Sequence, residues 1–168
     1  MPGTHTKWTL LEDGVIKEFL SAPTGELFAA LRAHSVLVRE ALPLPPAPGS
    51  AAFQAGVACY ADFPQAQLVH RLFECRGRVL SGDLHAQDAA AFLSGLLIAS
   101  DVAGALKLFI KDTARTVYLI GAPALTQLYA GVLAGCAHET RLLDGEVAAL
   151  LGLTQVHRRL TAQAAANV

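Results

Sequence analysis

The chain has 168 residues, 53% of them apolar and 16% charged, with a formal net charge of −1. That length suits one domain able to bury its own core, and an apolar share so far above the charged share excludes disorder. The near-neutral balance, with basic residues scattered from Arg32 to Arg159, excludes the electrostatic footprint of a nucleic-acid binder.

The first stretch, Pro2-Gly3-Thr4-His5-Thr6-Lys7, puts a glycine, two hydroxyls, an imidazole and an ammonium in six residues. Its free amides and hydroxyls suit phosphate oxygens, although a frayed run of ordinary polar residues reads the same way. It is not a Walker A loop, because a strand rather than a helix follows. Trp8–Glu12 and Val15–Phe19 flank Asp13-Gly14, the pair that a tight hairpin turn with positive φ favours. Pro23 or Thr24 then opens a helix through Leu27, Phe28 and Leu31 towards His34-Ser35, with Glu26 complementing the dipole of its first turn.

Leu42-Pro43-Leu44-Pro45-Pro46-Ala47-Pro48-Gly49 is a stiff, extended linker. Ser50 caps a helix through Phe53, Val57 and Tyr60, and a second helical segment is expected from about Gln65 to Glu74. Gly77–His85 reads as turn and loop. Gln87 or Asp88 opens what should be the longest helix, reaching about Phe109, in which Ser94-Gly95 predicts close approach to another backbone or to a ligand. The apolar run in this helix is interrupted by Ser94, Ser100 and Asp101 and is read as too short for a bilayer span.

Thr116–Ile120 is a β-branched run ending at Gly121 and reads as a buried strand. Pro123 stands at the first turn of a helix from about Ala122 to Ala134. The turn Gly121-Ala122-Pro123 therefore either presents amides to a ligand at a helix N-terminus or is a tight turn of small residues. Thr140–Leu143 reads as a short strand. Asp144-Gly145-Glu146 leads into a helix at Val147–Leu151, and a last helix covers Thr154–Ala165.

Cys59, Cys75 and Cys136 are too dispersed for a disulfide framework or a zinc site, so reduced thiols in a cytoplasmic protein are expected. None of the six histidines shows metal-ligand spacing, and His34, His70, His85 and His138 read as surface or satisfied core residues. The first fifteen residues lack the apolar core of a secretory leader, and a soluble protein is expected. So apolar a chain is also expected to turn a face towards a partner or a further domain.

Taken in order, five motifs resemble the 2-keto-3-deoxygalactonate kinase family (2-dehydro-3-deoxygalactonokinases). They are Pro2-Gly3-Thr4-His5-Thr6-Lys7-Trp8, then Thr24-Gly25-Glu26-Leu27-Phe28 with His34-Ser35, and Phe92-Leu93-Ser94-Gly95-Leu96-Leu97-Ile98. Leu119-Ile120-Gly121-Ala122-Pro123-Ala124-Leu125 with Tyr129, and Asp144-Gly145-Glu146, complete the set. The resemblance implies an α/β fold, the C-terminal lobe of an actin-like (ribonuclease H-like) sugar kinase, with a mixed sheet and packed helices. It implies transfer of a phosphoryl group from ATP, with Mg2+, to the 6-hydroxyl of 2-dehydro-3-deoxy-D-galactonate.

By that resemblance Gly3, Thr4, His5 and Lys7 lie near the ATP phosphates, and Gly121, Ala122 and Pro123 near adenosine. Thr24, Gly25 and Glu26 are candidates for the sugar-acid side. Asp83 and Asp101 are the only aspartates considered for a catalytic role, and neither is assigned one. The family's first phosphate loop, an Asp-x-Gly-Thr element after a strand, does not occur here. Residues 1–168 therefore resemble the C-terminal lobe alone, with an N-terminal lobe as the expected complement and no turnover expected without it. The alternative is a non-catalytic lobe that binds nucleotide or assembles with itself, for instance as a homodimer.

Overall fold

Asp13 and Gly14 turn the chain at φ of 52° and 75°, folding strand β1 (Thr6–Glu12) back on β2 (Val15–Ala22). Both residue types tolerate this left-handed geometry. The computed structural model describes residues 1–39, 45–62, 67–109, 116–136 and 138–166. The antiparallel register runs from Thr6↔Ala22 to Leu10↔Glu18, where a bulge shifts it. Helix α1 (Thr24–His34) follows at once, with Pro23 in the N-cap position.

Of the expected linker, residues 42–44 lie outside the described residues; 45–50 are coil and turn. Ser50 caps α2 (Ala51–Ala61), its Oγ accepting from the Phe53 amide at 3.2 Å. The next segment departs from expectation. Gln65 lies outside the described residues, and the helical expectation from there to Glu74 is met only by the single turn α3 (Leu68–Arg71). Helix α4 (Glu74–Ser81) occupies part of the stretch read as loop. Gly77 is tolerated there because a glycine inside a helix costs only about 1 kcal/mol, and Arg71–Glu74 and Arg78–Glu74 ion pairs brace the turn. Gly82, at φ 89°, ends the helix in a left-handed cap.

A 3-10 turn at Ala86–Asp88 leads into α5 (Ala89–Phe109), the spine of the fold. Every residue from Ala89 to Ala99 is buried, which explains why this helix carries no polar face. Together, Ala86–Phe109 is long and apolar enough to cross a membrane, contrary to the reading of its run as too short. However, 72% of its most apolar window is buried inside the protein. Helix α2 crosses α5 glycine to glycine. A Cβ on Gly56 would stand 2.0 Å from the Phe92 carbonyl oxygen, and one on Gly95 would stand 2.1 Å from that of Phe53. Of the two readings of Ser94-Gly95, backbone approach is the one realised at Gly95.

Strand β3 (Val117–Gly121), helix α6 (Pro123–Leu133) and strand β4 (Thr140–Asp144) form a unit with parallel strands. They pair from Val117↔Thr140 to Gly121↔Asp144. Pro123 starts α6 as expected, but only Leu119 of β3 is fully buried; Tyr118 is exposed. Residues 145–166 are one helix, α7, of 22 residues rather than two, and it exceeds α5 in length. Asp144 caps it by accepting from the amides of Glu146 and Val147, each at 2.9 Å. Gly152 does not break it.

The fold is thus mixed α/β. Among the described residues its strands make two separate two-stranded sheets, β1–β2 and β3–β4, not the single mixed sheet expected. One apolar cluster joins α2, α4 and α5 through Cys59, Cys75, Phe92 and Leu96; a second joins α2, α5, β3 and α6 through Phe53, Val102, Leu119 and Tyr129. Cys59, Cys75 and Cys136 are all free, the first two buried. Burial pushes the Cys75 thiol up to about 12, so it stays protonated.

Candidate functional site

Four turns that the sequence separates widely meet at the C-terminal end of β3, and small residues let them. A Cβ on Gly25 would lie 2.5 Å from the Gly3 carbonyl oxygen and 2.9 Å from the Thr4 Cα. One on Gly121 would lie 3.2 Å from the Pro2 carbonyl oxygen, and one on Gly145 would lie 3.0 Å from the Gly121 Cα. The 2–5 loop is thus held between the start of α1 and the β3–α6 turn, with the start of α7 behind it. The Glu26 amide donates to the Thr4 carbonyl at 2.9 Å. His5 Nε2 and Glu26 Oε2 pair at 2.6 Å on the exposed rim. A crevice of about 110 Å³ opens here, lined by Gly3, Thr24, Gly25, Ser94 and Leu125 among others.

Beneath the loop, Asp101 of α5 gathers three donors. Its Oδ1 accepts from Trp8 Nε1 at 2.8 Å, and its Oδ2 accepts from Thr24 Oγ1 at 2.7 Å and from the Tyr129 hydroxyl at 2.6 Å. Tyr129 also shares a hydrogen bond with Thr6 at 2.8 Å, and its ring sits 6.3 Å from that of Trp8, tilted by 54°. One carboxylate therefore ties β1, α1 and α6 to α5, directly under the loop.

Burial, then the Asp101 charge, holds the Tyr129 hydroxyl well above the usual tyrosine range. The native state keeps this proton when the unfolded chain has lost it. The contribution is thus whole below about pH 10 and is lost as pH rises beyond it, at up to about 1.4 kcal/mol per pH unit. Urea unfolding at pH 8 to 11 should show this decline, and Tyr129→Phe should remove its share. Equal slopes in the two proteins would refute the assignment.

The structure brings together Gly3, Thr4, His5, Gly25, Glu26 and Gly121. Ala122 and Pro123 begin α6, whose N-cap has no side-chain hydrogen bond; Pro123 carries no N–H, and the Leu125 amide donates to the Ala122 carbonyl at 3.1 Å. Thr24 is buried and its hydroxyl is committed to Asp101. Lys7 lines a neighbouring cleft between the sheets rather than the crevice. Asp83 accepts from Ser81 at 2.6 Å on an exposed turn, and Asp101 serves as a tie. The roles of Thr6, Trp8 and Tyr129 as partners of that tie were not legible from sequence. The signal available was a polar residue interrupting an otherwise apolar helix, at Asp101.

Comparison with known proteins relates the chain first to a family of sugar-acid kinases. Residues 1–156 match the model of 2-keto-3-deoxy-galactonokinase, and the chain belongs to that family. A protein of Rhizobium meliloti (strain 1021), named as a probable 2-dehydro-3-deoxygalactonokinase, is 36% identical over 163 residues, which cover 95% of this chain and 52% of the relative. The 2-dehydro-3-deoxygalactonokinase of Escherichia coli (strain K12) is 32% identical, over 93% of this chain and 51% of its own. A crystal structure of a Sinorhizobium meliloti protein, described as a 2-dehydro-3-deoxygalactonokinase, superposes with a TM-score of 0.83 at 36% identity. That match covers 95% of this chain and 52% of the other. The chain thus spans about half the length of the relatives it matches.

Proposed function

We propose that this chain is the nucleotide-contacting, C-terminal half of a two-lobed, actin-like 2-dehydro-3-deoxygalactonate kinase acting in the cytoplasm. The parent reaction moves the γ-phosphoryl group of ATP to the 6-hydroxyl of the sugar acid: the hydroxyl oxygen bonds to phosphorus, the bridge to the β-phosphate breaks, and ADP leaves. The observation that carries this reading is the convergence of the 2–5 loop, the α1 start and the β3–α6 turn around glycines with no room for a side chain. Gly3, Thr4 and His5 would face phosphate oxygens with amides and polar groups. Gly121, Ala122 and Pro123 would bound the adenosine, and Gly25 and Glu26 the sugar-acid side.

Among the described residues no cluster of three or more His, Cys, Asp or Glu side chains could hold a metal ion. The carboxylate of Asp101 is taken up by three donors, and that of Glu26 pairs with His5. Mg2+ would therefore arrive with the ATP phosphates rather than in a protein cage of this chain. Closure of two lobes is what would exclude water from the transferring group.

The test is an ADP-release assay with the sugar acid, ATP and Mg2+, run with and without the complementary half of the E. coli relative, beside calorimetric ATP titrations. Turnover is expected only in the mixture. Gly25→Ala, whose Cβ displaces the 2–5 loop, should weaken ATP binding at least tenfold while the core stays folded. Turnover by the chain alone, or ATP affinity untouched by that substitution, would sink the proposal. A second reading, a non-catalytic lobe that assembles with itself, is favoured by exposed apolar residues on β2, β4 and α7, among them Phe19, Leu143, Leu150 and Leu153. ATP binding without turnover in the mixture, together with a stable dimer in sedimentation, would favour it.

A further inference from the structure

Three hydroxyls line the crevice beside the 2–5 loop, those of Thr24, Ser94 and Tyr129. Two are committed: Thr24 donates to Asp101, and Tyr129 bonds both Asp101 and Thr6. Ser94 of α5 is the exception. It is only 6% exposed, yet its hydroxyl has no hydrogen-bond partner among the described residues. No side-chain oxygen or nitrogen among them is both sealed from solvent and unpartnered, so the Ser94 oxygen borders the open space of the crevice. Asp101 stands under the loop, and Ser94 lies two turns before it on the same helix, about 10 Å along the axis at roughly 1.5 Å per residue. Apart from Gly3 and Gly25, the rest of the lining is apolar: Phe28, Pro46, Leu97, Ile98, Leu125 and Leu128. Counted out to its mouth, the crevice holds about 420 Å³, within the range of about 300–1,000 Å³ that small ligands occupy.

We propose that Ser94 sets the breadth of the phosphoryl donor: its hydroxyl is the one side-chain group among the described residues that reads the edge of a base seated in this crevice, and the site accepts guanine and hypoxanthine beside adenine. The inference rests on reading the 2–5 loop as the phosphate contact, and deepens that reading. Apolar walls from α1, α5 and α6 take a flat ring system, and the few polar groups in such a pocket fix its orientation. Adenine presents an amino donor at its 6-position where guanine presents an oxygen acceptor. A site tells the two apart with a group of fixed polarity, such as an ammonium, which only donates, or a carboxylate, which only accepts. A serine hydroxyl rotates and does either. Thr24 and Tyr129 are held by Asp101 and have no such freedom. Strong rejection of a wrong substrate arises where it leaves a buried polar group unpaired, and none of these purines leaves Ser94 so.

The experiment is calorimetric titration of this chain with the Mg2+ complexes of ATP, GTP and ITP, and with inorganic tripolyphosphate, which carries phosphates and no base. Each titration is repeated on Ser94→Ala, which removes the hydroxyl and leaves the crevice open. The three nucleotides should bind within about tenfold of one another. Ser94→Ala should weaken all three by about 3- to 10-fold, the worth of one neutral hydrogen bond, and leave tripolyphosphate unchanged. In methyl NMR spectra the nucleotides, but not tripolyphosphate, should shift the resonances of Leu97, Ile98, Leu125 and Leu128. A preference for ATP over GTP of about 100-fold or more, or nucleotide affinities untouched by Ser94→Ala, would overturn the proposal. So would an equal loss for tripolyphosphate, since the substitution would then act on the loop, and so would the absence of nucleotide binding altogether. Tripolyphosphate binding that Gly25→Ala weakens, beside nucleotides indifferent to Ser94, would sink the base contact and keep the phosphate reading. None of these readouts is turnover, so a failed kinase assay and a failed base contact remain separate results.

Discussion

Gly95→Ala should lower stability by about 3 kcal/mol or more, the upper range for overpacking, because nothing on the receiving side can rotate away. The added Cβ would meet the Phe53 carbonyl oxygen at 2.1 Å and the Val57 amide at 3.1 Å, both backbone atoms of α2. Gly56 faces the Phe92 carbonyl in the same manner, so the two helices have no slack from either direction. Relief requires α2 to withdraw, exposing Phe53 and Phe92, each fully buried. Alanine gains about 1 kcal/mol of helix propensity over glycine, which the clash outweighs. Gly104→Ala in the same helix supplies the contrast. Nothing lies within 4 Å of its Cβ position, so the propensity gain should appear as a small stabilisation. Urea midpoints measure both, and a Gly95→Ala protein as stable as its parent would refute the close crossing.

The second large effect belongs to Asp101→Ala, expected to cost about 3–5 kcal/mol. Hydrogen bonds to a charged group contribute about 1.5–3 kcal/mol each. The three here share one acceptor group and will not add in full. Part of the loss is the penalty on the Thr24 and Tyr129 hydroxyls left without their acceptor. Asp101→Asn should be milder, at about 1–2 kcal/mol, because the two hydroxyls can turn to accept from the new amide. A loss below about 0.5 kcal/mol for alanine, the range of an ordinary surface substitution, would show that the tie carries no weight.

Local chemistry was what the sequence displayed well. Asp13-Gly14, Ser50 and Pro123 each act within a few residues, and the hairpin, the α2 cap and the α6 start stand where those residues put them. Glycines misled where their cost was taken as a full stop: Gly77 lies inside α4 and Gly152 inside α7, because one glycine is a small debit against a helix otherwise capped or braced. Of the candidate site, the glycine turns were legible because close backbone approach demands that residue type. Asp101 was named without a role, since its partners lie on three other elements and no local pattern connects them. The separation of the two sheets was also hidden, because edge pairing depends on which strand lies next in space.

The Asp101 tie has a kinetic consequence as well. Its hydrogen bonds join residues 28, 77 and 93 positions apart, and the Thr6–Tyr129 bond beside them spans 123. Each needs a long loop closed and several elements already docked before it is made, so it is among the last native contacts to form. Interactions absent from the folding transition state act on the escape rate from the native state. In a chevron experiment Asp101→Ala should leave the refolding limb nearly unchanged and raise the unfolding limb, whereas slowed refolding would place the tie in the nucleus. The carboxylate under the loop then acts as a latch, governing how long the assembled cleft persists rather than how quickly it is built.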